Sequence, residues 1–121
     1  MSETDDAIAG VIEYWTIWTA ELCDKQREDF QRQKPGALPQ LVTGQVIDDF
    51  QGRWRRGDAM RSSLISRIDP EKGRVYTQNS VYQLSGPGLH KTGIPRDYAQ
   101  AVGEARVELS GLLDPARALD S

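Results

Sequence analysis

The first apolar run of the chain, residues 11–19 (VIEYWTIWT), is rich in β-branched and aromatic side chains. Such side chains lose conformational freedom in a helix and pack well on a pleated sheet, so the run predicts a strand. Strict alternation divides its apolar side chains between two faces, with Val11, Trp15 and Ile17 on one and Ile12, Tyr14 and Trp18 on the other. A strand with two apolar faces is expected to be central in its sheet or covered on both sides.

A helix is the competing interpretation of the same run. The residues that also recur at helical spacing are Ile8, Val11, Ile12, Trp15, Thr19 and Leu22. This stripe would make one long N-terminal helix that begins near Thr4 and replaces the first strand.

Further β-rich runs follow the proline break Lys34-Pro35-Gly36-Ala37-Leu38-Pro39. Residues 41–48 predict a strand in which Gly44 marks a bulge or a close approach. Residues 62–69 and 74–84 flank Asp69-Pro70-Glu71-Lys72-Gly73, a sequence typical of a hairpin loop closed by a left-handed glycine. On the second arm, alternation separates Val75, Thr77 and Val81 from Tyr76, Tyr82 and Leu84.

Two helices complete the predicted elements. Residues 21–33 contain strong helix formers and predict a short surface helix. Residues 96–113 predict an amphipathic helix, with its apolar side at Tyr98, Ala101, Val102, Ala105, Leu109, Leu112 and Leu113. The expected fold is α+β: a small antiparallel sheet of about four strands, at residues 11–19, 41–48, 62–69 and 74–84, packed against the C-terminal helix.

Composition narrows the function classes. Of the 121 residues, 27% are charged and 38% hydrophobic, which fits a single domain over residues 1–121. Cys23 and His90 are the only residues of their types, so the chain can form neither an internal disulfide nor a pair of histidine ligands. Because no nucleophile or metal constellation is recognisable, we expect no cofactor, no metal and no enzymatic activity.

The same features predict a cytoplasmic protein with no membrane partner. The longest uncharged apolar stretch, residues 14–20, is far shorter than the roughly 20 residues that span a bilayer. Residues 1–6 are acidic and lack the basic flank and apolar core of a secretory signal. The oligomeric state is not predicted.

The formal net charge of −3 is unevenly distributed. Residues 41–80 form the only basic third of the chain, and their surplus lies in Arg53-Trp54-Arg55-Arg56-Gly57-Asp58-Ala59-Met60-Arg61. Arginine binds phosphates and carboxylates through its forked guanidinium, and tryptophan stacks on bases or on guanidinium planes. The segment is therefore the main candidate binding site, formed by Arg53, Trp54, Arg55, Arg56 and Arg61.

Three interpretations of this segment are open. The first, favoured over nucleic-acid binding, is docking onto a protein or ribonucleoprotein partner, together with an exposed aromatic face. The second is binding of RNA or single-stranded DNA, which an acidic chain with four clustered arginines would bind weakly because it neutralises few phosphates. The third is a tight turn between glycines, with Trp54 packed inward and the arginines solvated or paired with Asp48, Asp49 and Asp58.

Short motifs within residues 43–88 carry a resemblance. They are Gly52-Arg53-Trp54, Arg56-Gly57-Asp58, Arg61-Ser62-Ser63 and Thr77-Gln78-Asn79-Ser80-Val81-Tyr82-Gln83-Leu84. In this order they resemble small uncharacterised proteins from bacterial accessory regions, prophages and plasmids. The resemblance implies a context without assigning residues: such proteins often act by stoichiometric binding, including the blocking of host defence complexes. The expected function is thus an accessory or anti-defence inhibitor from a mobile element.

Overall fold

The computed structural model describes residues 8–113, with side chains for residues 8–110. Within this range the element order is β1 (Gly10–Thr19), α1 (Asp24–Gln33), β2 (Gln40–Asp49), β3 (Ala59–Arg61), β4 (Ile65–Asp69), β5 (Arg74–Thr77), β6 (Val81–Leu84), β7 (Leu89–Thr92) and α2 (Tyr98–Leu113). The fold class is α+β, as predicted. Residues 1–6 and the predicted apolar side chains of Leu112 and Leu113 lie outside the described parts.

The strands form one mixed sheet in the order β3-β2-β1-β6-β5-β4, and β7 also pairs with β1. The centre of the sheet is β1, which pairs with β2 in antiparallel orientation and with β6 and β7 in parallel orientation. The predicted central strand is therefore confirmed, and the long N-terminal helix is wrong for this run. The expectation of about four strands, all antiparallel, is also wrong: the described residues contain seven strands in a mixed sheet.

The extra strands arise where the chain changes direction within short segments. A turn divides the predicted strand of residues 74–84 into β5 and β6, because the Thr77 Oγ1 hydroxyl donates to the Ser80 carbonyl at 2.8 Å and accepts from the Ser80 N–H at 3.0 Å. The turn resets the alternation, so Val75 and Tyr82 pair across the two strands and both are buried. Their predicted separation onto opposite faces is wrong. Both β3 and β7 are short and were not predicted.

The sheet curls because its two outer strands are consecutive in the chain. Only residues 62–64 connect β3 to β4, which stand at opposite ends of the strand order. The Leu38 N–H donates to the Ile65 carbonyl at 2.7 Å and links the segment before β2 to β4. The main hydrophobic core consists of Ala9, Ile12, Ile17, Val42, Val46, Met60, Ile65, Val75 and Tyr82. Burial of each large aliphatic side chain stabilises the fold by roughly 1.5–3 kcal/mol.

A bulge in β1 allows two isoleucines to reach this core from positions of opposite parity. Tyr14 and Trp15 together lie opposite Gly44 of β2, and Tyr14 has a left-handed φ of 50°. The bulge shifts the alternation, so Ile12 and Ile17 both lie in the core although strict alternation assigns them to opposite faces. The predicted close approach at Gly44 is confirmed, because a Cβ there would lie 2.9 Å from Ile12 Cδ1.

Helix α2 packs against β1, β2 and β3, as predicted for the C-terminal helix. It begins after Asp97, whose Oδ1 accepts the N–H groups of Ala99 and Gln100. Its buried side chains are Ala101, Val102, Ala105 and Leu109. Polar contacts add to this packing, since Lys91 Nζ of β7 lies 3.2 Å from a Glu108 carboxylate oxygen. No helix within residues 8–113 is long and apolar enough to cross a membrane.

Candidate functional site

The arginine segment begins in the loop between β2 and β3, residues 50–58, and the Asp49 carboxylate organises the start of this loop. Asp49 Oδ1 accepts the Gln51 N–H at 3.1 Å, and Oδ2 accepts the N–H groups of Arg53 and Trp54, the latter at 2.6 Å. At the far end of the loop, Asp58 Oδ2 accepts the Arg55 N–H at 2.9 Å. These internal hydrogen bonds order the loop before any partner arrives, which lowers the entropic cost of binding.

Asp49 is held in its ionised form. Partial burial raises the pKa of Asp49, because removal from water disfavours a charged carboxylate. Three backbone N–H donors and the nearby positive charge of Arg53 lower the pKa and outweigh burial, so it lies below its ordinary value of 3.8. The carboxylate therefore remains the acceptor for the loop throughout the neutral pH range.

Arg53 and Trp54 are engaged within the protein. Trp54 is half-buried against the core, and its ring centroid lies 6.5 Å from that of Tyr82. The Arg53 guanidinium lies 4.6 Å from the Trp54 ring centroid and donates to Tyr82 Oη at 3.0 Å. The inward position of Trp54 matches the tight-turn interpretation. Of its two alternatives for the arginines, solvated or paired with aspartates, the exposed Arg55 and Arg56 fit the first, since Asp49 and Asp58 accept their described hydrogen bonds from backbone N–H groups.

Three other loop residues form what we call the exposed set: Phe50, Arg55 and Arg56. Phe50 is 64% exposed. Arg55 and Arg56 are also exposed, and their guanidinium groups make no hydrogen bond or ion pair with any residue that the structure describes. Phe50 was not identified from the sequence, although an aromatic residue directly after two aspartates and four residues before Trp54 was an available signal.

Arg61 lies apart from the loop. It belongs to β3 and pairs with Thr43, three residues before Val46, whose carbonyl accepts the Gly57 N–H at the end of the loop, which corresponds to a separation of about 10 Å along the strand. Its guanidinium lies 5.4 Å from the Tyr98 ring centroid at the start of α2. The five predicted site residues are therefore dispersed: Trp54 packs inward, the exposed Arg53 lies against its ring, Arg55 and Arg56 face solvent, and Arg61 is near the other end of the β2–β3 pair.

The other candidates for chemistry lie elsewhere. His90 is exposed on β7, and its ring meets the Trp15 ring edge-on at 5.9 Å. Cys23 is exposed and precedes α1. In the part of the chain that the structure describes, no group of three or more His, Cys, Asp or Glu residues is placed to hold a metal ion.

Comparison with known proteins gives one finding. The sequence pattern of a family described as "Domain of unknown function (DUF6957)" matches residues 3–100. The match includes all seven strands of the described range, the β2–β3 loop and Arg61. No curated protein and no solved structure matches the chain. Because the match covers most of its length, the chain belongs to the DUF6957 family of domains of unknown function.

Proposed function

We propose that the protein is a non-enzymatic binding module that docks onto a protein or ribonucleoprotein partner through the exposed set. The observation that carries this proposal is the ordered loop, which presents an exposed aromatic ring and two guanidinium groups that are unpaired among the described residues. Aromatic residues and arginine are enriched at the residues that dominate interface energies. A loop already held by its own hydrogen bonds can use them with little ordering cost.

The exposed set also indicates the chemistry of the partner surface. Arg55 and Arg56 need carboxylates or other anionic acceptors, which each guanidinium can bind through two parallel hydrogen bonds. Phe50 needs an apolar pocket that removes its ring from water. The complementary surface is an apolar pocket bordered by acidic residues. Blocking a host defence complex, as the resemblance to mobile-element proteins suggests, is a role that such stoichiometric docking would perform.

Nucleic acid is the second candidate partner, because Arg55 and Arg56, which are exposed and have no ion pair within residues 8–110, can contact phosphates. The position of Trp54 favours protein. Its ring is half-buried and already has the Arg53 guanidinium beside it, so stacking on a base would require the loop to rearrange. The dispersal of Arg61 away from the loop further reduces the number of phosphates that one strand could contact together.

The proposal is tested by quantitative capture from a lysate of the native host, with and without nuclease. The baits are the wild-type chain, Phe50→Ser, and Arg55→Gln with Arg56→Gln. The matched control is Lys25→Gln with Lys34→Gln, which removes two positive charges from exposed positions at the ends of α1. We expect a specific partner whose capture falls by about tenfold or more in both loop variants, is kept by the control, and survives nuclease treatment.

Titration with the purified partner then distinguishes a stoichiometric binding role from a catalytic one. Titration of the partner should saturate at a fixed stoichiometric ratio, and any effect on its activity should track occupancy. Full effect at substoichiometric amounts of this protein, with turnover, would contradict a non-enzymatic role. If both loop variants captured as much of the partner as the wild type, the β2–β3 loop would not be the docking site.

A further inference from the structure

An apolar groove of about 330 Å³ opens near the end of the β2–β3 pair that is remote from the loop. It lies between α1, the end of β1, the start of β2 and the segment that leads to α2. Its main apolar walls are Trp18, Leu22, Phe30, Leu41 and Ile94. The groove shares no residue with the exposed set of the proposed function, so the two sites can be tested separately.

The walls of the groove are already in place. Trp18 Nε1 donates to Thr43 Oγ1 at 3.0 Å, which fixes the indole against the sheet. Gln40, the uncharged polar side chain of the lining, donates through Nε2 to Thr19 Oγ1 at 2.9 Å. Ile94 is 68% exposed, so it is available to cover an apolar ligand. A preformed cleft with apolar walls and few polar groups has the usual character of a small-molecule site.

Arg61 is the charged residue of this lining. Its guanidinium is near the Tyr98 ring, yet within the described residues it has no carboxylate at ion-pair distance. A cation beside apolar walls attracts a ligand that carries an anionic group on a hydrocarbon body, because the guanidinium can bind a carboxylate through two hydrogen bonds.

We propose that this groove binds a small amphipathic carboxylic acid, with its apolar body between Trp18 and Phe30 and its carboxylate on Arg61. The volume is at the small end of the range for ligand pockets, which suits a medium-chain or aromatic acid. The chemistry of the ligand follows from this one cation and these apolar walls.

The test uses three probes with the same eight-carbon chain: octanoate, octan-1-ol and octylamine. Each is titrated into the isotope-labelled protein while the indole N–H resonance of Trp18 is followed by NMR. We expect saturable shifts with octanoate, affinity for octan-1-ol about tenfold weaker, and still weaker binding of octylamine. No saturable shift of the Trp18 resonance at millimolar octanoate would overturn the proposal.

Variants distinguish the contribution of the Arg61 charge to ligand binding from the contribution of the apolar walls. Arg61→Gln should abolish the preference for octanoate over octan-1-ol, and the remaining octan-1-ol binding reports that the groove is still folded. Lys25→Gln removes one positive charge from an exposed position of α1 that does not line the groove, and it should leave the preference unchanged. Ile94→Asp, at an exposed position, should weaken the binding of both octanoate and octan-1-ol. A preference for octanoate that survives Arg61→Gln would show that Arg61 is not the carboxylate site.

Discussion

Asp49 is the residue that most clearly determines the geometry of the β2–β3 loop. Its carboxylate accepts the backbone N–H groups of Gln51, Arg53 and Trp54, which would otherwise need water or another acceptor. This arrangement resembles the capping of a helix N-terminus, where one side-chain oxygen satisfies several consecutive donors. The start of the loop therefore depends on this one carboxylate for three of its backbone hydrogen bonds.

Asp49→Ala should lower the free energy of unfolding at pH 7 by about 1–2 kcal/mol, the usual cost of removing such a capping acceptor. Urea denaturation measures the change. The control is Asp48→Ala, an exposed neighbour with no described hydrogen bond through its carboxylate, which should stay within about 0.5 kcal/mol of the wild type. Equal effects of the two substitutions would contradict this role of Asp49.

The stabilisation from Asp49 should also depend on pH. The folded-state pKa lies below its ordinary value of 3.8, so the contribution is complete above that value and is lost as the pH falls through the folded-state pKa. The difference in unfolding free energy between the wild type and Asp49→Ala should therefore be larger at pH 7 than in acid below the ordinary carboxyl pKa. A constant difference over that range would show that the carboxylate charge is not involved.

At the scale of elements, the β1 bulge and Gly44 of β2 act as a pair. Tyr14 and Trp15 of the bulge lie opposite Gly44, and the side chain of Ile12, which pairs with Val46, reaches over it: a Cβ at Gly44 would lie 2.9 Å from Ile12 Cδ1 and 3.1 Å from Ile12 Cβ. These distances are too short for ordinary carbon contacts, so either the strands separate or Ile12 leaves its position in the core.

Gly44→Ala should accordingly destabilise the protein by about 1–3 kcal/mol, the range for overpacking in a core. Gly103→Ala serves as the control, because Gly103 is inside α2 and a Cβ there meets nothing within 4 Å. In that helix the alanine should instead stabilise by about 0.5–1 kcal/mol. Urea denaturation of both variants gives the comparison, and a neutral Gly44→Ala would mean that the β1–β2 pair adjusts freely.

At the scale of the whole molecule, the distribution of positive charge limits how the chain can bind nucleic acid. Among the described residues, Arg55 and Arg56 are the unpaired cations of the loop, since Arg53 donates to Tyr82 and Arg61 lies beside Tyr98 of α2. Two neutralised phosphates correspond to a log–log salt slope of about −1.4 to −1.8. Any single-strand binding through this loop should therefore weaken by roughly tenfold between about 50 and 200 mM salt.

Fluorescence anisotropy with single-stranded RNA and DNA at two salt concentrations checks this expectation. Arg55→Gln with Arg56→Gln should remove most of the salt dependence, whereas Lys25→Gln with Lys34→Gln should leave it unchanged. A slope near −3 or steeper would require about four phosphate contacts, which would mean that Arg53 and Arg61 turn toward the nucleic acid. That outcome would favour nucleic acid over a protein partner.

Local patterns in the sequence determined much of the fold. The hairpin at residues 69–73, both helices, the central apolar strand and the close approach at Gly44 follow from turn chemistry and periodicity, which act between neighbouring residues. The turn at residues 77–80 had a local signal too, in Asn79 and Ser80, but a continuous β-rich run obscured it.

Only the tertiary structure decided the parallel pairing of β6 and β7 with β1, the curl of the sheet and the dispersal of the arginines. The apolar groove belongs to this second group, since Phe30, Leu41 and Ile94 meet there from three distant segments. Contacts of this kind depend on which strands pair and in which direction, and the side-chain alternation of a single strand carries no information about its partner.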